Sequence, residues 1–355
     1  MNFKSVKPLT VLAFLLFLQS CKTELRPTGQ LRSSAPNNIQ IDFQIINKPK
    51  NASLSDLNMN KITIYENDVP LSSMEGQLAS VVECQCSVNI IHLTVDYSGS
   101  VRRSFVQVMA GVHNFVLKLN QSKQKTLIRI SFFAGDSGLY NLKGYNNYYF
   151  TPESALENIT SNPDCRKFTL NGDVTGKNLC ASDNATRLNT AFLLNLNQLN
   201  SMKEYTEKNS KDYQNPNFAS IIFTDGRNTD LGVSTDEVAS RIAEFKKSTG
   251  KIYTVSLDSK EFNAAYFSKV QPTKQVKFKK LHKFSNALTD AFDDFQNSLP
   301  AYYTLRICSA SRGGLSQVSV ESNAYKIPKF TFHELVDSTS FTGECDLTNE
   351  SQWKF

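Results

Sequence analysis

The chain has 355 residues, of which 40% are hydrophobic, and it carries a formal net charge of +6. This length suits one large domain and a smaller one, and the hydrophobic fraction allows a sizeable core. Two of the basic residues, Lys4 and Lys7, lie in an N-terminal segment that we expect to be removed. Because nucleic-acid binding depends on clustered Lys and Arg, the mild remaining charge excludes it as the expected function.

Residues 1–20 have the features of an export signal, and the apolar run within them is too short to span a bilayer. The sequence LQSC at 18–21 resembles the lipobox of bacterial lipoproteins. The resemblance implies cleavage before Cys21, lipid attachment there and anchoring in the bacterial cell envelope. Lys22 stands where enteric lipoproteins of the inner membrane carry Asp, which favours the outer membrane. The alternative is an ordinary secretory signal followed by an incidental cysteine.

Residues 21–37 are polar and rich in Pro, Ser and Gly, which predicts a flexible tether. Alternating apolar and polar residues begin at Ile39, which is typical of half-buried strands. The alternation returns after Pro300. We therefore predict a small β-sandwich made of two separate parts, residues 38–86 and 300–355.

Between these parts, residues 87–299 alternate buried strands with amphipathic helices, which predicts an α/β domain with a doubly wound, mostly parallel sheet. The simplest architecture inserts this domain into the β-sandwich. The predicted strands are 89–95, 127–133, 219–224 and 252–257, and the predicted helices are 105–119, 188–199, 236–247 and 285–299.

Hydroxyl and carboxylate side chains follow the first buried strand at Asp96, Ser98 and Ser100, and Gly99 lets the loop turn sharply. Ligands bind at this carboxyl edge in open α/β sheets, and Thr186 and Asp225 are expected at the same edge. An oxygen-only set suits a hard divalent cation. We favour Mg²⁺, with Mn²⁺ and Ca²⁺ as alternatives.

Three motifs make residues 87–299 resemble a von Willebrand factor A domain with a metal-ion-dependent adhesion site. They are DYSGS at 96–100, TRLNTA at 186–191 and IIFTDG at 221–226. The resemblance implies that the hydroxyls of Ser98, Ser100 and Thr186 bind the cation directly. Asp96 and Asp225 would hold cation-bound waters, and an acidic side chain of a partner would take the open position. Thr190 is a rival for the role of Thr186.

The predicted function is therefore a lipid-anchored envelope protein that binds or adheres to a protein partner through the cation. The alternative is a periplasmic scaffolding or assembly component whose metal mainly stabilises the fold. We expect no enzyme, because the chain lacks a Gly-x-Ser-x-Gly elbow and His92 lies within an apolar strand as a packing residue.

An even number of cysteines beyond Cys21 indicates disulfides in an exported chain. Cys165 and Cys180 bracket a loop and are expected to pair, whereas a zinc site is disfavoured by the lack of Cys-x-x-Cys. Cys84 and Cys86 are too close to pair comfortably. We therefore predict that each bonds to one of the two remaining cysteines, which are Cys308 and Cys345.

Two segments stay open to more than one interpretation. The basic run at 274–283 either protects a sheet edge from pairing or contacts an anionic surface. The long connection at 142–184, with Tyr145, Tyr148 and Tyr149, is either an ordinary insertion or a recognition element overhanging the metal.

Overall fold

The computed structural model describes residues 25–34, 38–45, 61–71, 79–83, 87–122, 124–143, 149–159, 164–170, 176–209, 213, 215–248, 250–260, 262–299, 301–309, 313–339 and 345. The chain divides into two compact units, Gln85–Leu299 and Met1–Cys84 with Pro300–Phe355. Among the described residues, no helix has the length and hydropathy needed to cross a membrane.

The described residues form the following strands and helices. The strands are β1 (Leu25–Ser34), β2 (Asn38–Ile45), β3 (Thr63–Glu66), β4 (Val69–Pro70), β5 (Ala79–Glu83), β6 (Val88–Asp96), β7 (Lys125–Phe133), β8 (Tyr140–Leu142), β9 (Phe168–Leu170), β10 (Pro216–Thr224), β11 (Lys251–Leu257), β12 (Lys274–Phe278), β13 (Ala301–Cys308), β14 (Leu315–Ser322) and β15 (Ile327–Asp337). The α-helices are α1 (Gly99–Arg102), α2 (Phe105–Asn120), α3 (Pro152–Asn158), α4 (Leu188–Lys208), α5 (Thr235–Lys247), α6 (Ala264–Val270) and α7 (Phe284–Ser298), and short 3-10 helices lie at Cys165–Lys167, Leu179–Ala181 and Leu281–Lys283.

The first unit is a sandwich of two antiparallel sheets. One has the strand order β1-β2-β13-β5 and the other the order β15-β14-β3-β4. Because apolar residues alternate along β2 from Ile39, one face of this strand is apolar and turned toward the core. Ile39, Ile41 and Phe43 are buried there. They share one core with Val318 and Val320 of the opposite sheet.

The flexible tether predicted for residues 21–37 is wrong for Leu25–Ser34, which form β1. This strand pairs antiparallel with β2 at the edge of its sheet. Two long-range contacts hold it there: Leu31 packs into the sandwich core, and Arg32 forms a 2.8 Å ion pair with the buried carboxylate of Asp42. An edge strand tolerates Pro27, which lies where the register shifts, so the polar composition did not prevent strand formation.

The second unit is built on a seven-stranded sheet with the order β12-β11-β10-β6-β7-β8-β9. The five strands from β12 to β7 are parallel, and β8 and β9 add antiparallel pairs at one side. The predicted α/β class with a mostly parallel sheet is therefore confirmed.

Helices cover both faces of this sheet, which explains why β6 is buried along its whole length. Ile91, Leu93 and Val95 pack on one face with α2 and α7. Val88 and Ile90 point the other way and pack with α4, α5 and α6. Successive side chains of a strand alternate between faces, so a continuous apolar run fills two cores at once.

Two disulfides lie within the described residues. The predicted Cys165–Cys180 bond is confirmed. The predicted bonds from Cys308 and Cys345 to Cys84 or Cys86 are wrong, because Cys308 and Cys345 bond to each other. The chain after β15 brings Cys345 to a Cα distance of 5.6 Å from Cys308, which is ideal for a disulfide. Cys84, Cys86 and Cys21 lie outside the described residues.

Candidate metal centre

Asp96 and Asp225 lie at the point where the sheet changes its winding direction. The chain leaves β6 toward α1 and α2 on one face, and it leaves β10 toward α5 on the other. Because β6 and β10 are neighbours, their following loops separate and leave a crevice at the carboxyl edge. Asp96 ends β6 and Asp225 follows β10, and both are almost fully buried, at 0% and 2% exposure.

The loop after β6 folds around the carboxylate of Asp96. The backbone N–H of Ser98 donates to Asp96 Oδ1 at 2.7 Å, which turns the chain back on itself. This turn brings the hydroxyls of Ser98 and Ser100 within 3.4 Å of each other. Between them, the N–H of Gly99 donates to the carbonyl of Asn184 at 3.0 Å. The loop is therefore attached to the segment that carries Thr186.

The two carboxylates are held by neutral donors. Thr224 Oγ1 donates to Asp96 Oδ2 at 2.8 Å, and the Ser100 hydroxyl donates to Asp225 Oδ2. The N–H of Arg227 donates to Asp225 Oδ1 at 3.2 Å. The structure thus brings Asp96, Ser98, Ser100 and Asp225 into one hydrogen-bonded cluster.

Thr186 is buried just before α4, and its backbone is fixed from the third loop. Its N–H donates to Thr229 Oγ1 at 2.9 Å, and its carbonyl accepts from the N–H of Thr229, also at 2.9 Å. Its rival Thr190 has a different partner, because both its hydroxyl and its N–H donate to Asp230 Oδ2. The side chain of Thr190 is therefore engaged in holding the loop after β10, and Thr186 is the better candidate ligand.

The electrostatics of this cluster fit a bound cation. Burial, together with the nearby charge of Asp225, raises the pKa of Asp96 to about 7, against the hydrogen bonds from Ser98 and Thr224. No Lys, Arg or His of the described chain forms an ion pair with either carboxylate. The two buried carboxylates and the hydroxyls of Ser98, Ser100 and Thr224 form an all-oxygen donor set, which suits a hard divalent cation. The contacts of Thr186 at this edge are made by its backbone.

Sequence reasoning missed two threonines that shape the site. Thr224 anchors Asp96, and Thr229 fixes the backbone of Thr186. A polar residue at the end of the buried run 219–224, next to Asp225, was a signal for Thr224. Thr229 gave no such signal, because it lies in a polar loop whose path depends on tertiary contacts.

The connection between β8 and α4 borders the site through its last residues. Arg102 of α1 donates to the carbonyl of Ser182 at 2.7 Å, and its guanidinium lies 4.9 Å from the ring centre of Tyr97. Tyr149 does not overhang the metal, because its ring packs edge-on against His92 in the middle of β6. Tyr145 and Tyr148 lie outside the described residues.

His92 is a core residue, as its apolar neighbours indicate. It is fully buried, and its Nε2 lies 2.9 Å from Ser131 Oγ. Burial and then the charge of Arg129 lower the pKa of His92 well below its ordinary value. The imidazole is therefore a neutral packing group inside the sheet.

The fold and the donor set define a doubly wound α/β domain with an oxygen-lined candidate cation site at its switch point. No protein-family profile and no curated protein matches the chain. Solved structures with partial similarity are proximal thread matrix protein 1 from the mussel byssus with a zinc-occupied MIDAS motif, a von Willebrand factor type A protein from Catenulispora acidiphila, and the manganese-loaded TRAP protein of Plasmodium vivax.

These similarities are distant. The mussel protein shows 11% identity over 64% of this chain and 50% of its own, with a TM-score of 0.40. The Catenulispora protein shows 7% identity over 89% and 74%, with a TM-score of 0.41. The TRAP protein shows 13% identity over 73% and 96%, with a TM-score of 0.39. This chain therefore spans about half the length of the mussel protein, and the chemistry of its site rests on its own side chains.

Proposed function

We propose that this chain is a binding protein of the von Willebrand factor A type that engages a protein partner through a divalent cation. The hydroxyls of Ser98, Ser100 and Thr186 bind the cation, which we propose is Mg²⁺, with Mn²⁺ and Ca²⁺ as alternatives. Asp96 and Asp225 provide the negative charge around it. The cation supplies an electrophilic centre that accepts a carboxylate oxygen of the partner.

The observation that carries this proposal is the cluster at the sheet edge. Two carboxylates are buried there with hydroxyl donors as their side-chain partners. The hydroxyl of Ser100, which lies beside that of Ser98, donates to the carboxylate of Asp225 after the neighbouring strand β10. Burying uncompensated negative charge is costly, and a cation removes that cost. Because hydroxyls and not carboxylates are the direct ligands, the cation keeps most of its charge for an incoming carboxylate.

An exposed apolar side chain in the loop that follows Asp225 favours a protein partner. Leu231 is fully exposed in the loop after β10. The same loop holds Thr186 through Thr229 and holds Thr190 through Asp230. A hydrogen-bonded loop that begins at Asp225 and presents an apolar group suits recognition of a folded or extended polypeptide.

We further propose that Cys21 carries the lipid and that the protein acts in the bacterial cell envelope, on the outer membrane. The support is the LQSC sequence at 18–21 after a short apolar run. Labelling cells with a fatty-acid analogue tests this proposal. We expect a labelled native protein and an unlabelled Cys21→Ser variant, and persistent labelling of the variant would refute the anchor.

The binding function is tested by capturing partners from an envelope extract with Mg²⁺ or with EDTA. Ser98→Ala combined with Ser100→Ala should abolish capture, as EDTA does, with only a modest change in thermal stability. The matched control is Ser201→Ala with Ser240→Ala, two exposed serines on helices α4 and α5 and outside the cluster. Capture that survives both the variant and the chelator would exclude the adhesive function.

The same measurements separate the alternative, a periplasmic scaffolding component with a structural metal. In that case EDTA would lower the unfolding temperature strongly and would leave capture by the still-folded fraction unchanged. We expect instead that EDTA abolishes capture and changes the unfolding temperature only modestly.

A further inference from the structure

A basic segment lies at the same sheet edge as the cation site. Along this edge, Thr224 of β10 pairs with Ser256 of β11, and Leu257 of β11 pairs with Phe278 of β12. Phe278 is therefore level with Asp225 across the sheet, and Lys279 follows one residue beyond that level. Neighbouring strands are about 4.8 Å apart, so the backbones of Asp225 and Phe278 are separated by roughly 10 Å.

One lysine of this segment is fixed close to the site by a chain of contacts. Lys277 Nζ lies 4.1 Å from the ring centre of Phe262. Phe262 in turn packs so tightly on Gly226 that a Cβ there would lie 2.9 Å from its Cα. Gly226 directly follows Asp225. A side chain at Gly226 is excluded both by this contact with Phe262 and by its φ of +93°.

The lysines of this edge are exposed and are not engaged in ion pairs with described residues. They are Lys277, Lys279, Lys280 and Lys283, which we name the lysine rim. Asp258 is exposed and lies beside these lysines in the strand register. Its backbone N–H donates to the carbonyl of Phe278.

Protection of the sheet edge does not account for three of the four rim lysines, since only Lys277 lies within the edge strand β12. Lysines along an exposed edge strand prevent pairing with another chain, and Lys274 fits that role at the start of β12, where it is paired with Asp294. Lys279, Lys280 and Lys283 come after the last paired residue of β12 and line no strand edge. Asp290, Asp293 and Asp294 of α7 border the pocket that Lys274 and Lys277 also line, whereas Lys279, Lys280 and Lys283 are not among its lining residues.

We propose that the partner of the cation site is an acidic polypeptide segment that places further carboxylates on the lysine rim. This inference rests on the proposed function, since one carboxylate must occupy the cation. An extended chain rises about 3.3 Å per residue, so the second acidic residue stands about three positions from the first. Exposed ion pairs are individually weak, and together we expect them to strengthen binding on the order of tenfold and to accelerate association.

The test uses displayed peptides with one fixed central glutamate and randomised flanks. Peptides are selected on the full chain with Mg²⁺ and eluted with EDTA. The variant is Lys279→Glu with Lys280→Glu. The control is Lys208→Glu with Lys247→Glu, which makes the same charge change at the exposed C-terminal ends of α4 and α5, at the opposite sheet edge.

We expect acidic residues to be enriched on one side of the fixed glutamate, about three positions away, for the native chain and the control. The variant should lose this enrichment and bind the selected peptides about tenfold more weakly, with an unchanged affinity for Mg²⁺. EDTA-eluted peptides without acidic enrichment would overturn this inference and leave the proposed function standing. A complete lack of EDTA-eluted peptides would overturn both.

A second arm tests a membrane as the ligand of the rim. Vesicles of phosphatidylglycerol and phosphatidylcholine are mixed with the native chain and with the same two variants, in Mg²⁺ and in EDTA. We expect no binding that depends on Lys279 and Lys280. Cation-independent vesicle binding that disappears in the Lys279→Glu and Lys280→Glu variant would assign the rim to an anionic surface and overturn the inference.

Discussion

Asp96 and Asp225 supply the two carboxylates of the candidate cation site. Each is buried and accepts hydrogen bonds from neutral groups, namely Thr224, Ser100 and backbone N–H groups. Such bonds offset part of the desolvation cost, and the repulsion between the two charges remains. A cation between these groups and the hydroxyls removes the repulsion, so binding and stability are linked at this site.

The first prediction concerns the pH dependence of the metal-free protein. The pKa of Asp96 is raised from 3.8 to about 7, so between these values the folded state holds a proton that the unfolded chain releases. The free energy of unfolding should therefore fall as the pH rises from about 4 to 7, by about 2–4 kcal/mol relative to Asp96→Asn.

Denaturant titrations of both proteins in metal-free buffer measure this difference across that pH range. Adding Mg²⁺ at pH 8 should restore stability to the native chain and not to the variant. A native-to-variant difference that stays constant from pH 4 to 8 would contradict this account of Asp96.

The second prediction separates Thr186 from Thr190. Thr186→Ala removes a cation ligand and should weaken Mg²⁺ binding at least tenfold in calorimetry. Thr190→Ala should leave the affinity unchanged and lower the free energy of unfolding by about 1 kcal/mol, because it removes a hydrogen bond to Asp230. Thr190→Ser keeps the hydroxyl and serves as the control. Reversed effects would give the ligand role to Thr190.

At the residue scale, motif spacing predicted which side chains lie close together. It could not predict the hydrogen bonds that hold them in place. Asp96, Ser98 and Ser100 are close in sequence, so their convergence follows from one tight turn. Thr229 acts through hydrogen bonds to the backbone of Thr186, 43 residues away. Contacts of this range depend on the whole fold and leave no periodic pattern in the sequence.

At the scale of elements, the segment just before α4 links the Cys165–Cys180 disulfide to the loop that follows β6. Cys180 lies four residues before Asn184, whose carbonyl accepts from Gly99. The guanidinium of Arg102 donates a hydrogen bond to the carbonyl of Ser182. The N–H of Asp183 donates to Asp136 Oδ2 at 3.1 Å. The Cys165–Cys180 bond therefore restrains the chain that positions Thr186.

The third prediction follows from this restraint. Cys165→Ser with Cys180→Ser should lower the unfolding free energy by about 3 kcal/mol, as expected for a loop of this size, and should weaken Mg²⁺ binding. Cys308→Ser with Cys345→Ser is the matched control, since that bond lies in the sandwich unit. It should reduce stability and leave the Mg²⁺ affinity unchanged. Equal Mg²⁺ affinities in all three proteins would exclude a role of the Cys165–Cys180 bond at the site.

Elements were predictable from the sequence where burial is complete. The nearly continuous apolar runs of β6 and β10 indicate strands that are buried on both faces. The helical spacing of apolar residues in α2 and α4 indicates helices with one buried face. β1 was missed, because an edge strand needs few apolar residues and takes its stability from β2 and the Arg32–Asp42 pair. Short strands such as β8 and β9 have too few residues to show a period.

At the scale of the whole molecule, the chain interrupts one β-sandwich with an α/β unit. β5 and β13 pair with each other although the second unit, Gln85–Leu299, lies between them in the chain. The return of alternation after Pro300 made this architecture predictable. The pairing of Cys308 with Cys345 was not predictable by elimination, because it depends on the path of the chain after β15.

The central claim is that the crevice between β6 and β10 holds one divalent cation. The most direct test is an anomalous difference map from crystals of the protein grown with Mn²⁺. We predict a single strong peak within about 2.0–2.6 Å of the hydroxyl oxygens of Ser98, Ser100 and Thr186. The peak should be absent in the Ser98→Ala and Ser100→Ala variant. A native crystal with no peak in this crevice, or with its peak elsewhere, would contradict the claim.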